Sequence, residues 1–133
     1  MKKILAIQGK KDTGKTKSIV KITEWLTGNY SVTEILEEDT RKEVYRIIKI
    51  KNYLIGICSQ GDPNSNLEYY LDIFYKRDCN IIICACRTYG MTVDWINNYK
   101  KRYDIEFIQS KWEKNPTYKA LQTLKYKMKL LLI

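Results

Sequence analysis

The sequence predicts an α/β fold: a three-layer α/β/α arrangement whose sheet is mainly parallel, with one antiparallel strand contributed by a hairpin over 44–58. Three observations predict it. Short, almost wholly apolar runs such as Ile4 to Ile7 and Ile81 to Cys86 suit parallel strands buried on both faces. Between such runs, apolar residues recur at helical spacing. Two β-rich runs, Val44 to Ile50 and Tyr53 to Cys58, are separated only by Lys51-Asn52, which is hairpin spacing.

Lys2 to Gln8 is predicted as the first strand. Ile19, Ile22 and Leu26 then mark a helix, with Gly28 as its expected stop. Ser31 to Leu36 reads as a short strand, followed by a polar, acidic-leading connection from Glu37 to Glu43. In the hairpin, Arg46 and Lys49 suit the first run to a sheet edge, whereas the second run is apolar throughout and is expected inside, beside the first strand. Leu67, Tyr70, Leu71, Phe74 and Tyr75 share one helical face that ends near Arg77-Asp78. Asn80 to Cys86 is the most apolar run and the expected central parallel strand. A helix carrying Val93, Ile96, Tyr99 and Tyr103 follows, with Lys100-Lys101-Arg102 favourably placed at its C-terminal end. Ile105 to Gln109 is the last strand. Asn115-Pro116 is a helix-starting pair, and Leu121, Leu124, Met128 and Leu131 give the final helix a core-facing stripe, with Lys119, Lys125, Lys127 and Lys129 solvated.

A chain of 133 residues without repeats or low-complexity segments is expected to form one domain over 1–133. With 44% hydrophobic and 29% charged residues it is expected to be globular rather than disordered. The net charge of +9 predicts attraction to polyanions, whether nucleotide, nucleic acid or acidic membrane, without choosing among them. Cys58, Cys79, Cys84 and Cys86 lack C-x-x-C spacing and read as buried, reduced thiols. The complete absence of histidine removes His-based catalysis and leaves a zinc site only if all four sulfurs converge. The start Met1-Lys2-Lys3 leads into too short an apolar run for an export signal, and no run approaches membrane-spanning length. The expectation is a cytoplasmic protein without membrane contact.

The chemistry concentrates in Gly9-Lys10-Lys11-Asp12-Thr13-Gly14-Lys15-Thr16, which fits G-x-x-x-x-G-K-[ST] directly after a strand and before a helix. Gly9 and Gly14 permit backbone angles and close approaches that let successive N–H groups turn inward around an anion. Lys15 supplies a cation for terminal phosphates. Thr16, in the first helical turn, is placed to ligate the Mg2+ that accompanies a nucleoside triphosphate, and the positive helix end faces the phosphates. Through Gly9, Gly14, Lys15 and Thr16 the chain resembles the P-loop NTPase superfamily. The resemblance implies a P-loop sandwich fold, ATP or another nucleoside triphosphate with Mg2+ as cofactors, and a binding loop running from Gly9 to Lys17.

In that superfamily a strand beside the P-loop strand usually ends in an acid that orients the magnesium water shell. Here the run to Cys58 is followed by Ser59-Gln60-Gly61-Asp62-Pro63, so the carboxylate is displaced. Either Asp62 reaches back to the metal, or Ser59 and Gly61 line the terminal phosphate while Asp39 supplies the acid, or Asp62-Pro63 simply opens the next helix. Arg87 leaves the central strand at the end where ligands bind in open α/β sheets. It is the candidate second phosphate-contacting cation, with Thr88 and Thr92 as hydroxyl partners, although Thr92 also suits a helix cap. Trp112 could stack on a base or cover the core edge.

The hairpin is similar to that of small GTPases, with Thr40 in the place of their sensing threonine. Their guanine-reading N-K-x-D is absent, which disfavours a dedicated GTPase. Small nucleoside and nucleotide kinases are the other resemblance. Lys15, Thr16, Mg2+ and Arg87 would make a donor site for them, but no insertion is long enough for a lid. The leading expectation is therefore an ATP-binding protein with Mg-dependent NTPase or phosphotransferase activity, with Lys15, Arg87 and Asp62 as catalytic candidates and Thr16 and Asp62 as metal candidates. The alternative is a nucleotide-dependent interaction module whose basic surface meets nucleic acid or a partner protein, with little turnover. A degenerate domain kept for structure is the third reading. A homo-oligomer is compatible with each.

Overall fold

The computed structural model describes residues 2–11, 13–110 and 116–133, the side chains of 116–118 excepted. Among the described residues the fold is mixed α/β: a six-stranded, mostly parallel sheet with four helices. In chain order the elements are β1 (Lys3–Gln8), α1 (Lys15–Asn29), β2 (Val32–Glu37), β3 (Tyr45–Ile50), β4 (Tyr53–Cys58), α2 (Leu67–Lys76), β5 (Ile81–Cys86), α3 (Met91–Asn97), β6 (Asp104–Gln109) and α4 (Pro116–Leu131). The strand order is β2-β3-β4-β5-β1-β6. β3 runs against both neighbours, so it alone is antiparallel to the rest. The two-residue turn that reverses it includes Lys51 at φ 55.

Burial follows from the run compositions. Ile4 to Ile7 in β1 and all of β5 are closed off on both faces. On one face Leu5, Ile7, Ile83 and Ala85 pack with Ile19, Ile22 and Leu26 of α1 and Leu121, Leu124 and Met128 of α4. On the other, Ile4, Ala6, Ile82 and Cys84 pack with Leu67, Leu71 and Phe74 of α2 and Ile96 of α3. The alternation is the period-two consequence of strand geometry.

Five sequence expectations are corrected. β3 is not an edge strand, because β2 lies outside it. Its Arg46 is instead neutralised across β2 and the loop that follows, by Glu34 at 3.1 Å and Asp39 at 2.8 Å. β4 is not beside β1, since β5 lies between them. β5, the more apolar and more completely buried of the two, takes that place. Gly28 is not a helix stop: α1 continues to Asn29 and closes when the Tyr30 amide donates to the Leu26 carbonyl. α3 is only seven residues long, so Tyr99 and Tyr103 lie beyond it. The Tyr103 hydroxyl donates to the buried Cys79 carbonyl at 2.7 Å, an anchor that holds the turns after α3 on the core without continued helix. Finally, Thr92 is not the cap of α3. That position is Gly90, and the buried Thr92 hydroxyl lies one residue inside the helix.

No helix among the described residues is long and apolar enough to cross a membrane.

Candidate functional site

The connection leaving β1 enters α1 on one face of the sheet, and the connection leaving the adjacent, parallel β5 enters α3 on the other. A crevice between diverging connections at the carboxyl ends of parallel strands is the place where open α/β sheets hold ligands. The loop 9–14 and the loop that begins at Arg87 flank it, and the Gly9 amide donating to the Cys86 carbonyl at 3.1 Å ties the two together.

The loop is built from close contacts. A Cβ on Gly9 would lie 2.3 Å from the Ser110 carbonyl oxygen and 2.6 Å from the Thr13 hydroxyl, so no side chain fits there. The Thr13 hydroxyl donates to the Lys10 carbonyl at 2.9 Å. The buried Ser110 hydroxyl, just past β6, donates to the Thr13 carbonyl at 2.6 Å and fastens the loop to the neighbouring strand. Gly14 caps α1 in the left-handed region, at φ 83 and ψ 17, with no side-chain cap. Lys15, only 8% exposed, folds back over the loop, and its ammonium donates to the carbonyls of Gly9 at 2.6 Å and Lys10 at 3.1 Å.

The electrostatics are one-sided among the described groups. The first turn of α1 holds no acidic residue, while Lys15 and Lys17 sit in it and Lys10 and Lys11 lie exposed in the loop before it. Cations at the positive end of a helix are unfavourable by themselves, and the arrangement suits an anion in front of them. Thr16 is half-buried at the second position of the helix. Asp12, expected in this loop, lies outside the described residues, as do Trp112 and Asn115.

Arg87 and Asp62 are brought together, 25 residues apart in sequence. Arg87 Nε donates to Asp62 Oδ1 at 2.9 Å, joining the loops that follow β5 and β4. Gly61 passes so close over β5 that a Cβ there would meet the Ala85 backbone at 2.6 Å, which explains how Asp62 reaches Arg87. Asp62 also belongs to the turn before α2, since its carbonyl accepts from the Ser65 amide at 3.1 Å. The Arg87 amide donates to the Thr92 hydroxyl at 3.0 Å, so Thr92 shapes the loop from within α3. Thr88 is exposed, and its carbonyl accepts from the Gln8 side chain at 3.4 Å.

Asp39 is held within the connection that follows β2. Its carboxylate accepts from Arg46 Nε at 3.1 Å and from the Tyr45 amide at 3.1 Å, so it braces the β2–β3 connection. Thr40 closes the same connection, its hydroxyl accepting from the Glu43 amide at 3.1 Å. Ser59 is buried at the end of β4, where it accepts from the Val44 amide at 2.8 Å and donates to the Glu43 carboxylate. Glu43 is thus the carboxylate presented at the end of β4, an assignment the sequence does not make because Glu43 lies 16 residues earlier. Ser110 is the other omission. Its signal was its place, directly after the strand expected to end beside the loop.

All four cysteines are free and buried. Burial pushes the Cys79 and Cys86 thiols up to about 12, and for Cys86 the nearby Lys15 charge opposes the shift. Cys58 and Cys84 are raised further by complete burial. Among the described residues no three Cys, Asp or Glu side chains converge as a metal cage. No family model, curated protein or solved structure matches the chain.

Proposed function

We propose that the chain is a P-loop NTPase-type protein, its covered sheet a three-layer α/β/α sandwich, and that it binds ATP or another nucleoside triphosphate with Mg2+ through Gly9 to Lys17. The observation that carries this reading is Lys15: a nearly buried ammonium at a helix N-terminus, held for the present by the carbonyls of its own loop. Transferring that ammonium to terminal phosphate oxygens exchanges neutral acceptors for charged ones, which strengthens its hydrogen bonds. Thr16 fits the accompanying metal, because Mg2+ keeps several waters and takes one or two protein groups besides phosphate oxygens. Asp62 accepts from Arg87 through Oδ1 alone, and its carboxylate has a second oxygen with which to serve that metal.

Calorimetry with ATP and magnesium tests the reading. Wild-type protein should bind one nucleotide, and Lys15→Ala should weaken binding about 10- to 100-fold, the loss of one charged hydrogen bond of ~1.5–3 kcal/mol. Absence of wild-type binding, or binding indifferent to Lys15→Ala, overturns it.

A second reading has its own support. Arg87, the candidate second phosphate-contacting cation, and Asp62, the candidate metal acid, pair with one another at 2.9 Å. That favours a nucleotide-dependent interaction module, meeting a partner protein or nucleic acid through its basic surface, over a fast NTPase or phosphotransferase. Turnover that stays negligible while nucleotide alters partner affinity supports the module. Rapid Lys15-dependent hydrolysis by the protein alone supports the enzyme.

A further inference from the structure

The two edges of the sheet are finished differently. β2 is paired to β3 through a register shift between Glu34 and Leu36, an irregularity of the kind that turns an edge away from further pairing. β6 keeps unbroken register with β1, from Lys3 against Asp104 to Gln8 against Gln109. Among the described residues β6 has no second strand partner. In a parallel ladder each residue sends its N–H and C=O to the same side, and the side alternates along the strand. The Asp104 amide donates to the Lys2 carbonyl at 2.9 Å and the Ser110 amide to the Gln8 carbonyl at 2.8 Å. By that alternation Glu106 and Ile108 also face β1, and the backbone groups of Ile105, Phe107 and Gln109 face outward.

A groove lies on each side of this edge. One, of about 540 Å³, runs under Ile105 and Phe107 and is walled by Lys100, Lys101 and Arg102. The other, of about 500 Å³, lies against α4 and is walled by Lys119 and Lys127. Phe107 lines both, so they meet at the middle of the strand. The carboxylates of β6 are already neutralised. Asp104 lies 3.1 Å from Lys3, and Glu106 lies 2.7 Å from Lys3 and 2.6 Å from Lys127. What is left is an outward row of backbone donors and acceptors beside the basic wall of Lys100, Lys101 and Arg102, in a chain of net charge +9.

We propose that the free edge of β6 docks an extended acidic segment of a partner protein, which joins the sheet as the strand beyond β6. Backbone pairing to Ile105, Phe107 and Gln109 supplies affinity, and Lys100, Lys101 and Arg102 select acidic side chains. A second copy of this chain would bring walls of the same sign and is the disfavoured occupant. The site is independent of nucleotide binding, although Ser110, one residue past the strand, reaches the loop at Thr13.

Amide hydrogen exchange read by NMR tests this, with a capped hexapeptide alternating glutamate and valine as probe and its lysine-valine counterpart as control. The Ile105, Phe107 and Gln109 amides should exchange fast in the free protein and slow at least about tenfold with the acidic peptide, while Glu106 and Ile108 stay slow throughout. Phe107→Pro removes one outward donor and leaves the ladder to β1 intact, so it should weaken the peptide about tenfold. Phe107→Ala, which keeps the donor, should weaken it less. Protection that ignores this alternation, equal binding of the lysine peptide, or protection that rises with protein concentration alone overturns the proposal. If Phe107→Pro fails to fold, the exchange pattern of the wild-type protein decides.

Discussion

Replacing Gly61 with alanine tests how the two loops at the crevice are held together. Gly61 is not among the glycines at positive φ, so an alanine there meets no backbone restriction of its own. Its Cβ would instead lie 2.6 Å from the Ala85 carbonyl carbon and 2.7 Å from the Ala85 Cβ and oxygen. That is about 1 Å inside the ~3.5–4.0 Å optimum for carbon contacts. Ala85 is the fifth residue of the central strand β5 and cannot retreat, so the loop must lift, drawing Asp62 from Arg87. Forced overpacking of this kind costs about 1–3 kcal/mol. Gly28→Ala is the matched control: nothing lies within 4 Å of its added Cβ, and it sits in exposed helix. There alanine should stabilise by about 0.5–1 kcal/mol. Urea unfolding followed by circular dichroism should place Gly61→Ala below the wild type and Gly28→Ala above it. Equal stability of Gly61→Ala and wild type would refute the close approach.

Other outcomes follow from the same contacts. Ser110→Ala removes the buried donor to the Thr13 carbonyl and should cost about 1–3 kcal/mol in the same urea assay while weakening nucleotide binding, whereas Thr123→Ala, whose exposed hydroxyl donates to the Lys119 carbonyl, should change neither. Lys127 and Lys3 hold the Glu106 carboxyl below its ordinary value of 4.5. Its contribution is therefore complete above about pH 4.5 and is lost as the pH falls through the lower folded value, so Glu106→Gln should lose less stability than wild type between pH 7 and pH 3. For such a partly exposed group the difference should be about 1 kcal/mol or less. Because burial raises all four thiols, Ellman's reagent at pH 8 should leave the native protein unreacted over minutes and titrate four thiols in denaturant.

What sequence disclosed was local. The β1–loop–α1 unit was legible because its apolar run, glycines and helical spacing are contiguous, and the 44–58 hairpin was legible from its two-residue turn. Strand order was not: the β5 run was legible as the most apolar strand, but apolarity reports burial and not which strand it pairs with, and pairing places β5 between β4 and β1. The length of α3 was misjudged because Tyr99 and Tyr103 keep helical spacing while serving a different contact, a T-shaped ring pair at 6.4 Å on the core. At the crevice, Lys15 and Thr16 follow from the motif. The Arg87–Asp62 pair and the Ser59–Glu43 pair depend on loops from different strands meeting, which spacing does not encode.

The central proposal is that the backbone amides at the entry to α1, from Gly14 to Thr16, hold a triphosphate. NMR titration with ATP and magnesium reads those amides directly. The account predicts large, saturating shifts at Gly14, Lys15 and Thr16, with saturation moved to about 10- to 100-fold more nucleotide in Lys15→Ala, and weaker changes at Arg87. Shifts confined to surface lysines such as Lys100 and Lys101, growing without saturation and unaffected by Lys15→Ala, would contradict it.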